Sequence, residues 1–295
     1  MKKILSLLFI FLLIHSISFA QNNPPKLLLR LDDNGMNHSV TMAILQVAET
    51  GIPFSTSVMF ACPWYQEAVS VLKKYPKISV GVHLTLNSEW KHYRWGPVLE
   101  QMAVPSLVDS NGYFLSSTSA FLKSRYKLDE VEQELTAQIE RAIKSGLQID
   151  YVDYHMGTAT STPELRAIVE KVAKKYKLGI SRYFGENYQT IFAVSVENKK
   201  EEFLNRLAGL SKDKVNLMVM HVAQATPEMN ALMDMNNTDQ HSDTKPVVAM
   251  HRSAELNTLL SPEFQKMVKS GVVKLVTYRD LVKEEGLEKM KSPGN

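Results

Sequence analysis

The chain has 295 residues, of which 44% are hydrophobic and 22% charged, a composition typical of a globular protein and not of a disordered or fibrous one. Its formal charge of +3 includes Lys2 and Lys3, and without these two residues the charge falls to +1. A charge this small excludes the basic footprint of a nucleic-acid-binding protein. Cys62 is the single cysteine, so an intramolecular disulfide is excluded as well.

Residues 1–20 have the pattern of a secretory signal peptide. Lys2 and Lys3 form a basic start, residues 4–14 form an apolar run, and the triplet 18–20 ends at Ala20 as a small-x-small cleavage site. We therefore expect residues 21–295 to be exported, to a periplasm or to the cell exterior, as one domain. The apolar run is shorter than the roughly 20 residues of a membrane-spanning helix, so an integral membrane protein is not expected.

Short apolar runs alternate with amphipathic stretches of helical length along the rest of the chain. The predicted strands cover residues 26–31, 54–60, 78–84, 149–155, 178–181, 214–220 and 272–277. The predicted helices cover residues 39–50, 64–74, 128–146, 163 onwards, 199–210 and 253–270. This alternation predicts an α/β fold with a mainly parallel sheet. Seven units in about 250 residues favour a closed or nearly closed (β/α) barrel over an open doubly wound sheet.

Acidic and imidazole side chains follow four of the predicted strands. They are Asp32 and Asp33, His83, Asp153 and His155, and His221. Each of them alone has an ordinary interpretation, as turn chemistry or as a hydrogen-bonded core residue. Because the carboxyl ends of parallel strands meet at one rim, however, the joint pattern predicts a site. Histidine and carboxylate ligands from separate elements suit zinc or a related divalent metal.

Four segments of the sequence resemble the YdjC-like carbohydrate deacetylases. They are Leu-Asp-Asp-Asn-Gly at 31–35, Gly-Val-His-Leu at 81–84, Tyr-Val-Asp-Tyr-His-Met-Gly at 151–157 and His-Val-Ala at 221–223. Their order and spacing agree with the family over nearly all of the mature chain. A smaller match to the family is made by Arg252, Glu255 and Leu259. The resemblance implies a single-domain distorted (β/α) barrel that removes acetyl groups from N-acetylated amino sugars or short oligosaccharides.

The resemblance also implies the residues of the site. One divalent metal ion, most often zinc or magnesium, would be held by Asp33, His83 and His155. Asp32 would be the general base that takes a proton from water, and His221 would protonate the leaving amine. The same chemistry is expected of a metal, a carboxylate and an imidazole acting on an amide. A homodimer is implied by the family alone.

The sequence departs from the family pattern at several positions. Tyr151 and Gly157 replace the outer two histidines of the third segment, Asn34 replaces a phenylalanine, and the late motif lacks its Pro-Gly. These departures leave open a changed substrate or a weakened metal site.

Substrate contacts are predicted from residues around the same rim. In the long excursion at 85–126, Trp90 and Trp95 could stack on sugar rings or pack within the loop itself. Arg252 could hold a substrate carboxylate or pair with an acid across the rim, and Asp153 is a further candidate for substrate contact.

Two other functions are compatible with the sequence. A glycoside hydrolase or lyase could use Asp32 and Asp153 as paired carboxylates without metal, provided that they lie within roughly 10 Å of each other. The chain could also be a glycan-binding protein that keeps the barrel but lacks catalytic activity, because its third segment is altered.

Overall fold

A computed structural model of the chain describes residues 23–236 and 247–293. The predicted signal peptide lies outside these residues. The strands are β1 (Lys26–Asn34), β2 (Ser55–Val58), β3 (Ser79–Leu84), β4 (Ile149–Tyr154), β5 (Gly179–Ile180), β6 (Asn187–Thr190), β7 (Asn216–Met220) and β8 (Lys274–Val276). The helices are α1 (His38–Glu49), α2 (Tyr65–Leu72), α3 (Thr118–Lys123), α4 (Leu128–Lys144), α5 (Pro163–Tyr176), α6 (Lys199–Ala208), α7 (Pro227–Asn230), α8 (Val247–Leu260), α9 (Pro262–Lys269) and α10 (Tyr278–Glu285).

The strands form one curled parallel sheet in the order β5-β4-β3-β2-β1-β7-β6, and β8 pairs with the amino half of β1. Every pairing between these strands is parallel. The predicted single-domain distorted (β/α) barrel is therefore confirmed. The barrel is not closed, because β5 and β6 are the two ends of the strand order and do not pair with each other in the described residues.

Alternation along β1 separates the core from the site. Leu27, Leu29 and Leu31 pack under the helices, in the main hydrophobic cluster. Leu28 belongs to a second, smaller cluster inside the curl of the sheet. Because successive side chains of a strand point to opposite faces, Arg30 and Asp32 follow Leu28 on the inner face. The inner face thus changes from apolar at its amino end to charged at its carboxyl end.

The observed elements differ from the predicted ones at β6 and at α8. Residues 187–190 form β6, which was not expected because Asn187 to Thr190 is a polar run of four residues on the edge of the sheet. The helix predicted over 253–270 is two helices, α8 and α9. Ser261 caps α9 by accepting from the Phe264 N–H, and Pro262 occupies the first turn, where a helix can begin but through which α8 cannot continue.

No helix of the described ranges is long and apolar enough to span a membrane. The excursion at 85–126 is ordered and packs on α4. Its backbone N–H groups at Val98, Leu99 and Ser106 donate to the buried carboxylates of Glu134 and Glu130. The excursion is thereby fixed beside the carboxyl ends of the strands.

Candidate active site and metal centre

Three predicted metal ligands converge at the carboxyl end of the sheet. Asp33 Oδ1 lies 3.3 Å from His83 Nε2 and 3.4 Å from His155 Nδ1, and the two ring nitrogens lie 3.3 Å apart. All three side chains are buried. Three donor atoms from β1, β3 and the turn after β4 therefore face one point.

The backbone at Asp33 explains how two consecutive carboxylates serve one site. In a regular strand Asp32 and Asp33 would point to opposite faces. Asp33 has φ of 62°, which is uncommon for a residue other than glycine, and the pairing of β1 with β2 shifts register between Leu31 and Asn34. This bulge turns the second carboxylate toward the histidines.

The three donor atoms fit a divalent cation. Two ligands at about 2.0 to 2.1 Å from a tetrahedral zinc ion lie about 3.3 to 3.4 Å from each other. The observed separations of 3.3 to 3.4 Å agree with this edge length. Asp33 Oδ1 is also buried without a hydrogen-bond partner among the described residues, which is costly for a carboxylate oxygen unless a cation satisfies it.

Each histidine has its second ring nitrogen bound to a carboxylate. His83 Nδ1 lies 2.9 Å from Asp153 Oδ1, and His155 Nε2 lies 3.0 Å from Glu89 Oε2. A carboxylate that accepts from one ring nitrogen fixes the tautomer, so that the other nitrogen presents its lone pair. Once neutral, both imidazoles therefore present a nitrogen lone pair at the point that Asp33 Oδ1 faces.

Asp153 is not placed to contact substrate, contrary to the prediction. Its side chain is completely buried, with Oδ1 at His83 and Oδ2 accepting from Ser57 Oγ at 2.9 Å and facing Arg30 Nε at 3.0 Å. With both oxygens occupied inside the protein, Asp153 positions His83.

Arg252 pairs with an acid across the rim. Its Nη2 donates to Asp33 Oδ2 at 2.6 Å, so the two oxygens of Asp33 are divided between a guanidinium and the ligand cluster. Its other terminal nitrogen, Nη1, is buried and has no partner in the part of the chain that the structure describes. Arg252 was predicted either to hold a substrate carboxylate or to pair with an acid across the rim. The structure shows the second arrangement, with Asp33 as the acid.

Six buried charged side chains surround the cluster. They are Asp32, Asp33, Glu89, Asp153, Arg30 and Arg252. Four ionised carboxylates and two guanidinium groups leave a formal charge of −2 when both imidazoles are neutral. A divalent cation balances this charge, and buried charge without balance is strongly unfavourable.

Asp32 is held by Arg30 on the same strand. Arg30 Nε donates to Asp32 Oδ1 at 2.7 Å and Arg30 Nη2 donates to Oδ2 at 2.8 Å. One oxygen of Asp32 also lies within 4.8 Å of a His83 ring nitrogen and an Asp153 oxygen. Because the Arg30 guanidinium already contacts both acids, this second group is less suited to a cation than the Asp33 cluster.

His221 lies just beyond β7, on the same rim. Its Nδ1 is buried without a partner in residues 23–236 and 247–293, and its backbone N–H donates to Glu255 Oε2 at 2.6 Å. Burial lowers the pKa of His221, while the neighbouring Asp33 raises it and Arg252 lowers it further. The net lowering favours a neutral ring near pH 7.

Trp90 and Trp95 pack inside the excursion. They are 4% and 3% exposed, and the Trp95 Nε1–H donates to the Asn87 carbonyl at 2.8 Å. Trp90 lies under the Arg252 guanidinium, 5.7 Å from ring centroid to Cζ, and Trp95 lies edge-on to His155. The two rings therefore form the small core of the loop, which is one of the two predicted alternatives. The other alternative, stacking on sugars, does not agree with their burial.

The departures from the family pattern lie away from the three donor atoms. Tyr151 is completely buried, its hydroxyl bonds Ser57 Oγ at 2.8 Å, and its ring covers Gly81, where a Cβ would come within 2.4 Å of the ring. Gly157 has φ of 72° in the turn after His155. Neither position contributes an atom to the cluster, which is complete without the two missing histidines.

Sequence reasoning missed Arg30 and Glu89. Arg30 could have been found, since it precedes Asp32 by two residues on a strand and so shares its face. Glu89 lies in the excursion, which has no periodicity from which its position could be predicted.

We expect Glu89→Gln to weaken metal binding about 10- to 100-fold, because the amide cannot hold His155 in the tautomer that the carboxylate selects. Titration calorimetry of the metal-free protein with zinc measures this change. Glu100→Gln, at an exposed glutamate of the same excursion, is the matched control. An unchanged affinity in Glu89→Gln would show that Glu89 does not position the ligand.

Metal binding should release protons. Burial alone would lower the pKa of His155, but Glu89 and Asp33 outweigh it and raise this pKa to about 9. The pKa of His83 is also raised, because Asp153 and Asp32 outweigh its burial. The raised pKa values favour the protonated form of these rings in the metal-free protein, and a protonated ring must lose its proton to bind a metal.

Release of about one to two protons per bound ion is therefore expected near pH 7, with metal affinity rising as the pH increases toward about 9. Calorimetry in buffers of different ionisation enthalpy gives the number. Binding without proton release would contradict this account of the metal-free site.

Comparison with known proteins identifies the family. A profile of the YdjC-like protein family matches residues 26–270. The chain belongs to this family. A carbohydrate deacetylase of Brevibacillus brevis is 26% identical over 261 residues, which cover 87% of this chain and 99% of that relative.

Two further comparisons, one by sequence and one by structure, show similarity of this YdjC-like chain to Enterococcus faecalis protein. A carbohydrate deacetylase is 32% identical over 154 residues, which are 52% of this chain and 56% of that relative. The crystal structure of a protein named for cellobiose-phosphate cleavage superposes with a TM-score of 0.68 and 26% identity, covering 88% of this chain and 99% of the other.

Proposed function

We propose that this protein is an exported, metal-dependent hydrolase that removes acetyl groups from N-acetylated amino sugars or short oligosaccharides. The observation that carries the proposal is the convergence of Asp33, His83 and His155 around an unpartnered carboxylate oxygen, with Asp32 alongside. Membership of the YdjC-like family and the names of the relatives, which are carbohydrate deacetylases, support the substrate class.

The site has the groups that amide hydrolysis needs. Asp33, His83 and His155 would hold a divalent cation, which would supply Lewis acidity for the amide carbonyl and acidify the water that attacks it. Asp32 takes the proton of that water, and Arg30 keeps its carboxylate oriented through two hydrogen bonds.

His221 is the proposed acid. Its buried Nδ1, to which no described residue bonds, can hold a proton and deliver it to the amine nitrogen as the bond to the acetyl carbon breaks. Since burial favours the neutral ring, His221 must be protonated within the substrate complex before the amine leaves.

The metal-free glycoside hydrolase alternative needs Asp153 as a second working carboxylate. Asp153 is completely buried and both of its oxygens are bonded, so it cannot reach a glycosidic oxygen. The glycan-binding alternative differs from the proposal in turnover alone, and the assay below separates the two.

The identity of the metal and the location of the protein are parts of the same proposal. Two histidines and one carboxylate are a ligand set typical of zinc, with magnesium as the second candidate. The proposed export depends on the signal-peptide pattern of residues 1–20, and a homodimer depends on the resemblance to the family.

The test is acetate release from a panel of N-acetylated mono- and disaccharides by the mature protein. We expect release that stops in chelator and returns with zinc or magnesium. Binding of the sugars without acetate release in metal-replete buffer would favour the glycan-binding alternative, and full release in chelator would exclude the metal-dependent mechanism.

A further inference from the structure

The barrel is open beside the candidate acid. β6 is an edge strand, and it pairs with β7 with Tyr188 opposite Leu217 and Thr190 opposite Val219. Leu217 and Val219 belong to the cluster inside the curl, so Tyr188 and Thr190 lie on the inner face as well. In the described residues β5 does not close this side, and Tyr188 remains 44% exposed although it lies on the inner face.

The register places Phe192 next to His221. Two residues beyond the pair of Thr190 and Val219, Phe192 and His221 fall on the same face. The rings are in contact, with centroids 5.6 Å apart and planes at 67°. Phe192 is nevertheless 57% exposed, so most of its ring faces water beside the site.

A single exposed apolar side chain is ordinary on a protein surface, but the backbone of Phe192 is held by an unusual group. Lys199 is completely buried, and its Nζ donates to the carbonyls of Ile191 at 2.7 Å and Phe192 at 3.2 Å. The same Nζ donates to Glu255 Oε1 at 2.9 Å.

This buried ion pair connects the turn to the site. The second oxygen of Glu255 accepts from the His221 backbone N–H at 2.6 Å, so one Lys199–Glu255 pair fixes both Phe192 and His221. A buried ion pair is a weak source of stability, and its best-attested use is to specify one arrangement. Here it specifies the position of an exposed ring relative to the candidate acid.

The other exposed aromatic side chains of the described ranges differ from Phe192. Each of them has its ring against a side chain outside the site: Trp64 contacts His38, Tyr113 contacts Arg94 and Tyr188 contacts Arg182. Trp90 and Trp95 are buried. Phe192 is therefore the exposed ring that contacts a residue of the proposed catalytic machinery.

We propose that Phe192 is a stacking platform for a sugar ring of the substrate, at the open side of the barrel between β5 and β6. A pyranose has an apolar face of C–H groups, which packs on an aromatic face without losing the hydrogen bonds of its hydroxyl groups to water. This inference rests on the proposed function, since it names how the same site selects a cyclic sugar over a small acetamide.

The experiment compares Phe192→Ala, Phe192→Leu and Phe192→Trp with the wild-type enzyme on an N-acetylated disaccharide and on N-methylacetamide. Loss of the aromatic face in the Ala and Leu variants should raise KM for the disaccharide about tenfold, with kcat within about twofold. Phe192→Trp should restore KM. Turnover of N-methylacetamide, which has no sugar ring, should be unaffected.

Val272→Ala is the control for removal of an exposed apolar side chain. Val272 is 53% exposed and precedes β8, at the opposite end of the sheet from the site. It should leave both kinetic constants unchanged. The thermal midpoint of each variant shows whether it folds, and disaccharide affinity is measured by calorimetry in parallel, so that the result does not depend on turnover.

The outcomes distinguish this inference from the proposed function. If the wild-type protein releases acetate and Phe192→Ala has the same KM and affinity for the disaccharide, the inference about Phe192 is overturned and the proposed function stands. A fall in kcat at constant KM would also overturn it, because Phe192 would then act only by packing on His221. Disaccharide binding that weakens in Phe192→Ala, with no acetate from any variant, would support the platform and overturn the deacetylase. Absence of both binding and release in the wild-type protein would overturn both.

Discussion

Asp32→Asn should reduce kcat for deacetylation about 10²- to 10⁴-fold while metal binding stays within about twofold of the wild-type affinity. The amide keeps the size of the carboxylate but cannot take a proton from water. Because Asp32 contributes no atom to the Asp33 cluster, the three donor atoms remain in place. Acetate release and titration calorimetry of the same preparation measure the two quantities.

The substitution also replaces one of the two Asp32 oxygens that accept from Arg30. Arg30 keeps its contacts with Asp153 at 3.0 Å and with Ser181 Oγ at 2.5 Å. The thermal midpoint therefore belongs to the experiment. Asp213→Asn, the same change at an exposed turn, is the matched control. A folded Asp32→Asn enzyme that turns over at the wild-type rate would remove Asp32 from the role of base.

His83→Ala and His155→Ala should each lower metal affinity by more than about 100-fold, because a ligand contributes more than the groups that orient it. Acetate release should fall with the bound metal. Elemental analysis after dialysis against dilute zinc measures the loss. The expected change is from about one ion per chain to near zero.

His92→Ala is the matched control, since His92 is exposed in the excursion after His83. It should keep both metal and activity. If His155→Ala retained a full equivalent of zinc, the Asp33 cluster would not be the metal site, and the group of Asp32, His83 and Asp153 would become the alternative.

The ligand set could be predicted because strand ends are visible in a sequence. β1, β3, β4 and β7 are mostly buried, and the polar residues at their carboxyl ends mark the rim. Three of these residues, Asp33, His83 and His155, do lie within one cluster. The sequence could not show the bulge at Asp33, which depends on a backbone conformation that aspartate adopts only when its surroundings support it.

Residues outside periodic elements were not predictable in the same way. Glu89, Trp90 and Trp95 lie in the excursion, where no alternation indicates which side chains are buried. The sequence therefore left open whether Trp90 and Trp95 stack on sugars or pack within the loop. The structure buries both of them and exposes Phe192, which follows a strand too polar to be predicted. Long-range pairs such as Arg252 with Asp33, 219 residues apart, arise from tertiary packing alone.

The most direct test of the central claim is a titration of chelator-treated protein with zinc, followed by acetate release from an N-acetylated disaccharide. The account predicts no release before addition, a linear rise, and a break at about one equivalent, in keeping with a single cluster of three donors. Full activity in the metal-free protein would contradict the account.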